Sequence, residues 1–259
     1  MVMATLLAAA VATLVFCAPG NPGSAGDAQP FVDQFVKVTS ASAGWKAGSL
    51  AAIYDPTEEG GLQKLGKADA VLAFVPYAFY VQYARQLHLT ALAQGDVAGI
   101  GTRERWTLVG KGDAPTDARS MTGYSLVSTA GYAPEFIRHS ALEAWPLPAD
   151  LKIESTGQVL SALRHAAAGE HVVVLLDQTQ AAATPTLPFA AQLKTLVQSP
   201  PLPVAVIAVV DSRLAGPRAK AMQRALLKLP SAADGADALA ALHLKGFVMP
   251  ELPGHAEKP

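Results

Sequence analysis

Short, continuous apolar runs recur along the chain, and most are followed by a stretch in which apolar positions return every three or four residues. The first run is Thr13–Ala18 (TLVFCA), followed by a small-residue loop, PGNPGSAGDAQ, and a helical stretch opening PFVDQF. Ser49–Tyr54 predicts a short strand that turns at Asp55-Pro56, and Glu58–Gly66 predicts a helix. Ala68–Val75 (ADAVLAFV) is apolar at almost every position, the mark of a strand covered on both faces. Ala78–Leu87 then reads as a helix, with Leu89–Ala93 and Trp106–Val109 as further strands. The alternation resumes with strand Tyr124–Val127, helix Ala133–Ala144, strand Lys152–Glu154 and helix Thr156–Ala168, which Gly169 stops. His171–Leu176, Leu193–Val197 and Val204–Val210 predict strands, and Gly216–Leu229 and Ala233–Leu242 helices. Strands alternating with helices indicate an α/β fold with largely parallel sheets. The Gly/Asp/Pro-rich segment Gly110–Asp117 is the best candidate linker.

Two strand-to-helix junctions carry candidate chemistry. At the first, strand Tyr124–Val127 delivers Ser128-Thr129-Ala130-Gly131 to the expected start of a helix, where free backbone N–H groups and the positive dipole end favour an anion. At the second, Ser24 sits in the loop after Thr13–Ala18. Each junction also has a plain reading. Ser128 and Thr129 have the chemistry of helix caps, and Ser24 that of an ordinary turn. Tyr54 ends a predicted strand, and Tyr77 and Asp177 each follow one. The tyrosines suit core packing as well as ligand contact, and Asp177 suits a cap or turn as well as a cationic group.

Composition narrows the classes. The chain has 259 residues, of which 51% are hydrophobic and 16% charged, so a large buried core is expected. Net charge is −1 and no basic run appears, which argues against a nucleic-acid binder. Residues 1–12 are apolar and end in Ala10-Val11-Ala12, an A-x-A pattern, so they read as a truncated secretory signal without its usual Lys or Arg, and export is expected. Cys17 is the single cysteine, which precludes an intrachain disulfide. The six histidines lack metal-ligand spacing, Gly123-Tyr124-Ser125-Leu126-Val127 lacks the second glycine of a nucleophile elbow, and no phosphate-cradling Walker loop is present. No enzyme chemistry and no cofactor are implied.

Three features in order resemble the periplasmic phosphate/phosphonate-type substrate-binding proteins of ABC importers. They are Ser128-Thr129-Ala130-Gly131-Tyr132; Leu175-Leu176-Asp177-Gln178 followed by Ser199-Pro200-Pro201-Leu202-Pro203 and an apolar strand; and the helix Arg224–Leu229 followed by Leu242-His243-Leu244-Lys245-Gly246-Phe247. The resemblance implies a type II periplasmic-binding-protein fold, with two α/β lobes of mixed, mostly parallel sheets joined by two crossover strands. It assigns residues 13–109 and 211–259 to lobe one and 110–210 to lobe two, with crossings near Trp106–Gly110 and Val204–Val210. It also implies that Ser128, Thr129 and the N–H groups of Ala130 and Gly131 hold an oxyanion, with Tyr54, Tyr77, Asp177 and Ser24 completing the shell. The expected protein is a periplasmic or secreted monomer that captures a small anionic ligand for an ABC permease. The alternative is a sensing or protein-interaction module on the same fold.

Overall fold

The computed structural model describes residues 11–20, 23–112, 115 and 117–252. The expected leader lies outside the described residues except at Val11 and Ala12, and Ala12 opens the first strand.

The chain begins with β1 (Ala12–Cys17), α1 (Ala25–Ser42), β2 (Leu50–Asp55), α2 (Glu58–Leu65), β3 (Ala70–Pro76), α3 (Tyr77–Tyr83) and β4 (Leu89–Val97). A two-residue strand, β5 (Arg103–Glu104), leads out of this unit. There follow β6 (Thr107–Lys111), β7 (Ser125–Ser128), α4 (Pro134–Phe136), β8 (Lys152–Ser155), α5 (Val159–Ala168), β9 (Val172–Leu176), α6 (Gln178–Ala183) and β10 (Leu193–Gln198). The chain returns through β11 (Leu202–Pro203) to β12 (Ala205–Val210), α7 (Gly216–Lys228), α8 (Gly235–Ala240) and β13 (Leu244–Val248).

Two sheets result, a six-stranded one in the order β13-β4-β12-β3-β1-β2 and a five-stranded one in the order β10-β6-β9-β7-β8. Each is the floor of one lobe. The parallel pairing expected throughout holds for β2-β1-β3 and β8-β7-β9. The remaining pairs are antiparallel, because β4, β12, β13, β6 and β10 belong to the segments that leave and re-enter each lobe.

The crossing differs in place from the expectation. β6 lies wholly within the five-stranded sheet and β12 wholly within the six-stranded one, whereas β5 and β11 pair only with each other, Leu202 opposite Glu104 and Pro203 opposite Arg103. We therefore draw the lobe boundaries at β5 and β11, some residues before the expected 109/110 and 210/211 divisions. Two-residue strands leave no hydrophobic period to read, so the long apolar runs on either side masked them.

The core follows the apolar runs. Leu72 and Ala73 of β3, Val173 to Leu176 of β9 and Val206 to Ala208 of β12 are fully buried, as strands covered on both faces must be. α1 starts five residues earlier than its sequence predicts. Ser24 caps it, its hydroxyl accepting from the Asp27 N–H at 3.2 Å and donating to the Asp27 carboxylate at 2.7 Å. Small residues hid that first turn, and Pro30 stays inside the helix because Val32, Phe35, Val36 and Thr39 bury one face of it against the sheet. The helix expected over Ala133–Ala144 is instead a single α-turn, α4, that widens into a π-turn over Ile137–Ala141, closed by the Leu142 N–H on the Ile137 carbonyl at 2.9 Å. Arg138 leaves this turn to donate to the carbonyls of Pro148 and Leu151, tying down the loop that follows.

Candidate functional site

The lobes meet along a cleft of about 810 Å3, within the range of small-molecule sites. Lobe one supplies the loop after β1 and the ends of β2 and β3, lobe two supplies the turn after β7 and the start of α6, and β5 lies between them. The lobes touch directly at one edge. A Cβ placed on Gly20, whose φ is +83°, would stand 3.1 Å from the Thr129 carbonyl oxygen across the cleft. Behind this contact the lobes share an aromatic seam in which Tyr77 packs edge-on to Phe136 and Phe79 approaches Tyr132. The Glu135 N–H also donates to the Gln82 side chain at 3.0 Å.

Six of the eight residues singled out from the sequence line the cleft: Ser24, Tyr54, Tyr77, Thr129, Ala130 and Asp177. Ser128 and Gly131 do not. Ser128 is fully buried, its hydroxyl donating to the Leu175 carbonyl of β9 at 2.8 Å and accepting from the Ala130 N–H at 3.1 Å. The Gly131 N–H donates back to the Ser128 carbonyl at 3.1 Å. Of the donors expected to hold an oxyanion, the Ser128 hydroxyl and the Ala130 and Gly131 N–H groups are thus engaged, whereas Thr129, which lines the cleft, makes no hydrogen bond among the described residues. The reason is local: α4 begins only at Pro134, so residues 129–133 form a turn that satisfies itself instead of the open end of a helix. Gly131 has a packing role, because a Cβ there would lie 2.1 Å from the Glu154 carbonyl of β8.

Removing the Ser128 hydroxyl should therefore be felt in folding. Ser128→Ala leaves a buried carbonyl and a buried N–H without partners, and we expect a loss of about 2 kcal/mol in urea denaturation. An unchanged midpoint would mean that the hydroxyl is not so engaged.

Asp177 caps α6, its carboxylate accepting from the Gln180 N–H at 2.8 Å while the Gln180 side chain accepts from the Asp177 N–H. Burial pushes its carboxyl above the usual range, against the pull of the Gln180 and Thr179 N–H groups. Tyr54 is half-buried and its hydroxyl is likewise pushed up, by burial first and then by neighbouring Cys17 and Asp55. Tyr77 is only 1% exposed and its hydroxyl has no hydrogen-bond partner among the described residues. Its pKa is pushed up to about 12 by burial, reinforced by Tyr80 and opposed by Arg103.

Sequence reasoning missed Glu104, the acid on the crossover. It is 7% exposed, lines the cleft, and makes no ion pair among the described residues. Burial, reinforced by the charge of Asp177, pushes its pKa up to about 7, against donors from the Gln178 backbone and the Trp106 side chain. A signal for it existed in Arg103-Glu104-Arg105-Trp106. Alternation in an extended segment puts Glu104 on the face opposite two arginines. Those arginines reach away to backbone carbonyls, Arg103 to Pro201 and Glu251 and Arg105 to Ser199. Among the described residues lining the cleft are three carboxylates, Asp27, Glu104 and Asp177, and no lysine or arginine.

This architecture is that of the two-lobed periplasmic binding proteins, and the chain has that α/β fold with mixed sheets. No family model and no curated protein sequence matches the chain. Among solved structures it is similar to XAC2383 from Xanthomonas citri bound to ATP, with a TM-score of 0.68, 15% identity and coverage of 94% of this chain and 92% of that one. It is also similar to PhnD1 from Prochlorococcus marinus in complex with methylphosphonate, with a TM-score of 0.58, 12% identity and 93% of each chain covered. A third is PA3383, a binding-protein component of an ABC phosphonate transporter from Pseudomonas aeruginosa, with a TM-score of 0.56, 15% identity, and 91% and 80% covered. At these identities the likeness is one of fold. No helix among the described residues is long and apolar enough to cross a membrane.

Proposed function

We propose that the chain is an extracytoplasmic solute-binding protein that captures one small molecule in the interlobe cleft and presents it to an ABC permease. The observation that carries this reading is the cleft itself, a cavity of about 810 Å3 walled by both lobes and by the crossover that joins them. A ligand held there contacts both lobes only when they are closed, so its binding energy shifts the open–closed equilibrium. The two-residue pair β5–β11 suits a hinge, since both its strands stand outside the two large sheets. The phosphonate-binding neighbours support a transport role by fold, and by analogy they favour an oxyanion. The Ala130 and Gly131 N–H groups do not add to that second point, because they are engaged, and no lysine or arginine lines the described wall. A periplasmic monomer acting with a permease is the working form that follows from this reading.

Native mass spectrometry of the full chain, purified from its own host without denaturation, tests solute capture. The expected result is a one-to-one small-molecule adduct that disappears on unfolding. A protein that carries no adduct and instead co-purifies in a stoichiometric protein complex would overturn the reading.

A further inference from the structure

We propose that the cleft selects a small organic cation, its ammonium or amidinium group held by the carboxylates of Glu104 and Asp177, with the Tyr77 hydroxyl completing the polar shell. The assignment rests on the solute-capture reading above and names the chemical class of the solute.

Three independent observations converge on it. The first is the charge of the wall. Asp27, Glu104 and Asp177 face the cleft with no lysine or arginine among the described lining residues. Asp27 receives the Ser24 hydroxyl and Asp177 the Gln180 N–H, each within its own helix cap, and of the two it is Asp177 whose charge reaches Glu104. Glu104 and Asp177 have no cationic partner among the described residues, and the Asp177 charge acts on Glu104. Buried carboxylates without a counter-charge are unfavourable unless something supplies one. The second is the Tyr77 hydroxyl, fully buried at the cleft wall and without a partner among the described residues. Buried hydroxyls almost always have a partner, so an orphan at a binding wall points to a group that arrives with the ligand. The third is the turn at residues 128–131, where the Ser128 hydroxyl and the Ala130 and Gly131 N–H groups are already engaged, so that of the donors expected for an anion only Thr129 is left uncommitted among the described residues.

The remaining walls specify an organic cation over a bare metal ion. Phe16, Phe31, Tyr54, Phe74 and Trp106 line the cavity, and its volume far exceeds a metal coordination sphere. Aromatic faces attract ammonium and guanidinium groups while covering their carbon skeletons. Among the described residues no cluster of three His, Cys, Asp or Glu is placed to hold a metal. An anion in the same place would meet the like charges of Glu104 and Asp177.

The test is a thermal-shift titration of the intact chain at pH 8. Putrescine, choline and arginine serve as cationic probes, methylphosphonate and inorganic phosphate as anionic ones, and adenosine as an uncharged one. The expected result is a concentration-dependent rise in melting temperature with at least one cationic probe and none with the anions. Glu104→Gln should weaken that probe's affinity about tenfold or more, because a charge-assisted bond becomes a neutral one. Tyr77→Phe, which keeps the ring, should weaken it by a smaller factor, so the placement is tested even if one variant folds poorly. A rise with methylphosphonate, phosphate or adenosine alone overturns the cationic assignment and leaves solute capture standing. A cationic response indifferent to both substitutions overturns the placement at Glu104 and Tyr77. No response to any probe overturns the assignment and counts equally against capture in this cleft.

Discussion

Glu104→Gln is expected to stabilise the ligand-free protein at pH 8 by about 3 kcal/mol and to leave it nearly unchanged at pH 4. The sign follows from the direction of the shift. An unfolded chain ionises this glutamate near 4.5, whereas burial, reinforced by the charge of Asp177, raises it to about 7 in the folded protein. A group whose folded pKa is raised contributes stability that is fully present below the unfolded value and is lost as pH rises through the folded one. The wild-type protein therefore loses stability between about pH 4.5 and 7 through Glu104, at about 1.4 kcal/mol for each unit of separation. A neutral glutamine of the same shape keeps an acceptor for the Gln178 and Trp106 donors and removes the charge. Guanidinium unfolding of both proteins at pH 4 and pH 8 measures the difference. Equal stabilities at pH 8 would show that Glu104 is compensated in solution. A stability gain of this size on removing one side chain is the signature of a group retained for binding at the expense of folding.

The same residue gives binding a pH dependence. A cation favours the ionised carboxylate and must expel its proton, so affinity for a cationic solute should fall as pH drops through about 7. The groups surrounding Glu104 are Asp177, the Trp106 side chain and the Gln178 N–H, and the flanking Arg103 and Arg105 are turned to backbone carbonyls.

Gly131→Ala is expected to cost about 3 kcal/mol or more, as overpacking against backbone does. The added Cβ would lie 2.1 Å from the Glu154 carbonyl oxygen and 2.4 Å from the Ser155 nitrogen. A flexible side chain can swing aside, but these atoms belong to β8, whose Glu154 and Ser155 are in register with Val127 and Ser128. β8 is the sheet edge, so relief comes by peeling its end, with loss of pairing. The same movement displaces Thr129 at the cleft, so ligand affinity should fall along with the thermal midpoint. A variant within about 1 kcal/mol of wild type in urea denaturation would show that the turn and β8 part easily, since that lies in the range of ordinary surface changes.

Much of the architecture is written in the order of the residues, and the parts that are not share a cause. Continuous apolar runs at Ala68–Val75, His171–Leu176 and Val204–Val210 identify β3, β9 and β12, because only a doubly covered strand needs so unbroken a run. The two strand-to-loop junctions also lead to the cleft, since strand ends in an α/β sheet converge on a common edge. Ser128 marks the boundary of this kind of reasoning. A small hydroxyl after a strand has the same sequence signature whether it caps a helix, meets a ligand or bonds to the next strand. The neighbouring carbonyl of Leu175, 47 positions along the chain, settles which.

Glu104 illustrates the converse. The alternation Arg103-Glu104-Arg105 sets it on a face of its own, but its chemistry arises only when folding buries it near Asp177. The sequence by itself determined the α/β class, the order of most strands and helices, and which junctions border the cleft, because hydrophobic periodicity and turn residues act over a few positions. Tertiary structure alone decided where the chain crosses between lobes, which hydroxyls and N–H groups are already engaged, and that the cleft wall carries carboxylates with no cationic partner among the described residues. Those properties depend on contacts between distant residues and on the loss of water around them, and burial is what turns an ordinary glutamate into an uncompensated charge.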